Sequence, residues 1–155
     1  MSMPRHFTTL LLLIPCACEA PAAEQPPQAT EAVEFFTSES LANLPFSEGV
    51  RVGSMIYLSG SIGADPATGQ LAPGGIASET RQVMENIRAS LERHGSGLDR
   101  VVKCLVMLAD MSEWPAMNEV YVTFFPGPKP ARSAMGANGL ALGARVEIEC
   151  MATVG

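Results

Sequence analysis

The sequence predicts an α+β fold, one sheet carrying two helices on a single face, and three observations lead there. Apolar residues recur at helical spacing in two stretches only and alternate or run together in several short ones, in the order strands, helix, strand, helix, strands. The chain has 155 residues, 47% of them apolar, enough for one core but hardly two. Two helices leave the other sheet face bare, so that face is expected to be buried against further copies of the chain.

Taken in order, Val33 to Thr37 reads as a short strand, and Val50 to Gly60 as two strands about a turn at Gly53-Ser54. Asp65-Pro66-Ala67-Thr68-Gly69 is a turn, since proline presets its own dihedral and glycine accepts the left-handed one. Ile76, Thr80, Val83, Met84, Ile87 and Leu91 then recur at helical spacing up to a stop at Gly95 and Gly97. Ser78 is the expected cap of this helix, with Glu79 favourable in its first turn. Val101 to Leu108 is almost continuously apolar, the mark of a central strand covered on both faces. Asp110 and Glu113 have capping-box spacing ahead of a second helix, with Pro115 in its first turn and Trp114, Met117, Val120, Tyr121 and Phe124 on its apolar side. Pro126-Gly127-Pro128 ends it, and two strands follow, Arg132 to Ala137 and Arg145 to Thr153. In the last, Val146, Ile148, Cys150 and Ala152 alternate with Arg145, Glu147, Glu149 and Met151, so the acids share a face.

The amino terminus reads as an address. Arg5 and His6 precede the apolar run Phe7 to Ile14, and Pro15, Cys16, Ala17, Cys18 and Ala20 follow, the layout of a secretory signal peptide too short to span a membrane. Residues 1–20 are assigned to this signal, with lipid attachment at Cys16 or Cys18 as a second route and the only expected membrane contact. Residues 21–32, rich in Pro, Ala, Glu and Gln, form a flexible linker. The folded domain is expected over 33–154, exported to the periplasm or beyond. Removing the leader leaves Cys104 and Cys150, each in an apolar strand, where two buried free thiols are favoured over a disulfide. A formal charge of −6, with ten Lys and Arg that form no run, excludes nucleic acid as a partner.

The chemistry-bearing stretch is Pro130-Ala131-Arg132-Ser133, followed by Arg145-Val146-Glu147-Ile148-Glu149-Cys150. An arginine between small residues can offer its planar fork to a carboxylate, and an acid on a nearby strand can position water. Together they suggest chemistry on a small anionic metabolite.

These runs, with Gly53 to Gly60, Asp65 to Gly69, and Asn118-Glu119-Val120-Tyr121 with Phe124-Phe125, occur in an order that closely resembles the Rid family of reactive intermediate deaminases, also called YjgF-like proteins. The resemblance covers roughly residues 40 to 153. It implies a chorismate-mutase-like fold, a homotrimer with clefts between subunits, and hydrolysis of small 2-imino or 2-enamine acids to 2-oxo acids and ammonia with neither metal nor cofactor. Arg132 matches the family's carboxylate-binding arginine and Glu147 the acid that activates or positions water. Ser59, Gly60 and Asn118 match cleft positions. Phe46 stands where well-studied deaminases carry a tyrosine, and Ala134 where many carry a cysteine, so both are expected to line the substrate site without those polar groups. Those two departures leave room for another reading, a non-catalytic module of the same fold that binds a small carboxylate or a protein.

Overall fold

The structure is a computed structural model and describes residues 31–37 and 43–155. The expected signal segment and nearly all of the linker lie outside the described residues. Seven strands form one mixed sheet: β1 (Val33–Phe36), β2 (Gly49–Val52), β3 (Met55–Leu58), β4 (Ser61–Ile62), β5 (Val101–Leu108), β6 (Ala131–Gly136) and β7 (Val146–Thr153). Their spatial order is β1-β2-β3-β7-β5-β6, with β4 continuing beside β7 beyond β3. Only β5 and β6 run parallel, and the chain between them carries the second helix, as a parallel crossover requires. The expected α+β architecture is the one observed, with β4 as an additional short strand.

Helices α1 (Ile76–Arg93) and α2 (Trp114–Tyr121) pack on the same sheet face. Val83, Met84, Ile87 and Leu91 of α1 and Met117 of α2 are buried against Val146, Ile148, Cys150 and Ala152 of β7 and Cys104, Val106 and Leu108 of β5. The opposite face is open, with Phe35, Tyr57 and Met135 each at least two-fifths exposed. Strand β5 therefore differs from its expected double coverage: its helix-facing residues are buried, but Lys103, Leu105 and Met107 are only half-buried and Val102 is exposed at an irregularity in the β5–β7 register.

Two local expectations are corrected and one is extended. Gly75, not Ser78, precedes α1: Gly74 and Gly75 adopt φ of 113° and 78°, a left-handed path that turns the chain straight into the helix, so Ser78 falls in the first turn, too late to cap it. Glu79 does more than complement the helix dipole. It is buried and accepts a 2.8 Å hydrogen bond from the Arg145 backbone N–H, tying α1 to the entry of β7. Cys104 and Cys150 are not free thiols: the antiparallel register of β5 and β7 sets them directly opposite each other, with Cα atoms 4.2 Å apart, and they form a disulfide. Sequence spacing could not reveal that register.

The capping box before α2 forms by half. Asp110 accepts from the Ser112 N–H at 2.8 Å and caps the 3₁₀ turn Met111–Glu113, whereas Glu113 pairs with Arg145. Glu79→Ala is expected to destabilise the domain by about 1 kcal/mol in urea unfolding, because the part-buried hydrogen bond that ties α1 to the entry of β7 is lost.

Candidate active site

Arg132 leaves β6 on the helix-bearing face. It pairs in register with the buried Cys104, and laterally paired residues share a face. Its Nη1 donates to Asn118 Oδ1 of α2 at 2.7 Å, and its guanidinium carbon lies 4.9 Å from the centre of the Tyr121 ring and 5.9 Å from that of Trp114. Among the described residues no carboxylate lies within ion-pair distance of it. Asn118, Glu119, Tyr121, Val122, Lys129, Pro130 and Arg132 line a cavity of about 550 Å³. Ala134, two residues further along the same face of β6, packs against the core and is not part of that lining.

Tyr121 was expected only as part of the apolar side of α2, and its ring does pack there. Its hydroxyl, however, is buried without a hydrogen-bond partner among the described residues, and burial pushes its pKa up to about 12 against the opposing pull of the Arg132 charge. A phenol at the end of an apolar stripe is the only sign the sequence offers of this role. The result is a cation, an amide and an unsatisfied hydroxyl around one cavity.

Glu147 lies elsewhere. It alternates with the buried Val146 and Ile148, so it points to the open face, between Ile62 of β4 and Met107 of β5. Its carboxylate lies against Gly60, where a β-carbon would force the Glu147 side chain to move. Gly60 also borders a second cavity, of about 390 Å³, with Phe46, Ser59, Leu58, Ile87 and Ser90. Phe46 is half exposed at its mouth. The Ser59 hydroxyl donates to the Ser47 carbonyl at 2.7 Å, which fixes the loop that carries Phe46.

The expected site residues thus do not converge within one chain: Arg132 lies with Asn118, Glu147 lies beside Gly60 on the open face, and Ser59 and Phe46 line the second cavity with Gly60. The Arg132 and Glu147 backbones are two strand spacings and three residues apart, roughly 14 Å, on opposite faces. Among the described residues no three His, Cys, Asp or Glu side chains converge as a metal site would require.

The order of these elements and their residues has counterparts. The family model described as Endoribonuclease L-PSP matches residues 37–154. The chain belongs to this family, the Rid or YjgF-like proteins. A mouse relative named 2-iminobutanoate/2-iminopropanoate deaminase is 44% identical over 111 residues, spanning 72% of this chain and 82% of the mouse protein. The crystal structure of yeast YEO7 superposes with a TM-score of 0.75 at 36% identity, covering 80% of this chain and all of the yeast one. That of the YjgF gene product of E. coli does so with a TM-score of 0.72 at 31% identity, covering 77% of this chain and 98% of its own.

Within this Rid domain, Glu48 was not anticipated as a structural centre. It bonds to Ser90 Oγ at 2.6 Å and to Arg93, both on α1, and His94 Nε2 stands 3.6 Å from its other oxygen. No local period could show it, because Glu48 and Ser90 lie 42 residues apart. Burial pushes the Glu48 carboxyl up, but the Ser90 and Arg93 hydrogen bonds and the Arg93 and His94 charges outweigh it, and its pKa lies below the ordinary 4.5. A carboxyl with a lower pKa folded than unfolded contributes stability that is fully present above pH 4.5 and is lost as pH falls through the folded value. Glu48→Gln is therefore expected to flatten the acid limb of the stability profile below the ordinary carboxyl value of 4.5, measured as unfolding free energy against pH.

Proposed function

We propose that the chain hydrolyses small 2-imino acids, and their 2-enamine tautomers, to 2-oxo acids and ammonia. The observation that carries this reading is Arg132: a guanidinium held by a neutral amide and two aromatic faces, with no carboxylate partner among the described residues, is organised for an external one. The names of relatives 44% identical support the reaction class. The formal charge of −6 speaks against an endoribonuclease, despite the description attached to the family model.

The chemistry asks little of the protein. Arg132 binds the carboxylate, and the iminium carbon is already electrophilic. Glu147 accepts a proton as water adds, giving a carbinolamine, and returns it to the nitrogen. Ammonia then leaves as the carbon–oxygen double bond forms, so an iminium and one water become an oxo acid and ammonium. Phe46, Ser59, Gly60 and Asn118 shape the site, and Ala134 leaves room where a thiol would stand.

Because Arg132 and Glu147 face opposite ways in one chain, we place the reaction in a cleft between copies. The open sheet face, with Phe35, Tyr57 and Met135 exposed, is the surface buried by association into a homotrimer. Arg132 of one subunit then meets Glu147 of the next.

The test generates 2-iminopropanoate and 2-iminobutanoate in situ with an amino acid oxidase and follows their decay. Acceleration by the wild-type protein is expected, with kcat/KM reduced on the order of 100-fold in Arg132→Ala, about 2.7 kcal/mol, and only partly recovered in Arg132→Lys. No acceleration, or the same acceleration by Arg132→Ala, would leave a carboxylate-binding or protein-binding module as the reading. Subunit placement has its own measurement. Arg132→Ala and Glu147→Gln subunits, each inactive alone, are unfolded together, refolded and assayed as mixed trimers. About a quarter of the wild-type rate should return if each site draws on two chains, and none if it draws on one.

A further inference from the structure

The Cys104–Cys150 disulfide joins the two central strands, and both residues are fully buried beneath the helices. A sulfur pair with no solvent exposure is out of reach of soluble thiols and oxidants once the domain has closed. The bond is therefore made while the chain is still open: the two thiols give up two protons and two electrons to an incoming disulfide, which departs as a pair of thiols. Cytosolic thiol pools hold such cysteines reduced, whereas an oxidising compartment forms the bond and keeps it. The same conclusion is reached from the other end of the chain, where Arg5 and His6, the apolar run Phe7 to Ile14 and the small residues after it have the layout of an export signal. Those two observations are independent, since one rests on the placement of two core cysteines and the other on the order of residues in the amino-terminal sequence.

We infer that this Rid domain folds and works in an oxidising compartment outside the cytosol, and that Cys104–Cys150 is a permanent staple there and not a redox switch. A switch needs access for its reductant, and this pair has none in the folded domain. The staple closes a sequence separation of 46 residues that contains the whole of α2 and β6. It also lies immediately beside Arg132 in the sheet, since Cys104 is the register partner of that arginine. The covalent link thus holds the strand pair against which the carboxylate-binding residue is set.

The full chain is expressed in a bacterium with an oxidising periplasm, the cells are fractionated, and the protein is alkylated in denaturant without reductant before peptide mass analysis. The expected result is extracytosolic protein in which neither Cys104 nor Cys150 is labelled and their peptides are linked. Protein in the cytosolic fraction overturns the proposed compartment, and alkylated Cys104 and Cys150 in exported protein overturn the staple. Wild-type protein reduced in denaturant and refolded should melt roughly 10 °C lower than the oxidised form. An unchanged melting temperature overturns the structural role, whatever Cys104→Ala/Cys150→Ala does to folding. None of these readouts depends on imine hydrolysis.

Discussion

Strand β7 is the constraint on which the rest of the domain depends. Val146, Ile148, Cys150 and Ala152 are fully buried under the helices, and the residues between them face the other way, so any slip by one position would drive Glu147 and Glu149 into the core. The penalty for burying unpaired carboxylates sets the register against β5, and the disulfide then makes that register covalent. Glu79 fixes the entry to the same strand by holding the Arg145 N–H. Helix, sheet and proposed site are all aligned to this one element.

A strict two-sided strand has a functional cost. It sends Glu147 to the open face, while β6, parallel to β5, sends Arg132 towards α2. A single chain therefore holds Arg132, the proposed carboxylate receptor, and Glu147, the proposed acid, where they do not meet. Its bare face and the edge position of β6 are both liabilities in a monomer, and association addresses them with the same contact that is proposed to complete the site.

What was legible in the sequence follows the range of the interaction concerned. Periodicity is local, so the two helices, the strand alternation and the shared face of Glu147 and Glu149 could be read directly. The order of short runs was enough to indicate the family and the candidate residues. What could not be read depends on register or on distant partners. Cys104 and Cys150 look like two buried thiols until β5 and β7 are aligned. Ser78 looks like a cap until the left-handed path through Gly74 and Gly75 starts the helix earlier. Glu79 looks like a dipole residue until β7 delivers an N–H to it, and the opposite orientations of Arg132 and Glu147 appear only when their strands share a sheet.

The identity of the residue at 118 bears on the proposed role of Arg132 as a carboxylate receptor. An aspartate there would hold the guanidinium just as firmly but would neutralise it, and an incoming carboxylate would have to displace an internal ion pair. The Asn118 amide oxygen orients the fork while leaving its full charge for the ligand. The faces of Tyr121 and Trp114 act in the same sense, attracting the cation through their quadrupoles without cancelling it. Among the described residues the buried Tyr121 hydroxyl has no hydrogen-bond partner, so the residue whose ring faces Arg132 also carries an unsatisfied polar group. Pre-orientation by neutral partners reduces the reorganisation needed on binding, and that matters most for a substrate as small as an imino acid, which offers few other contacts from which affinity could be drawn.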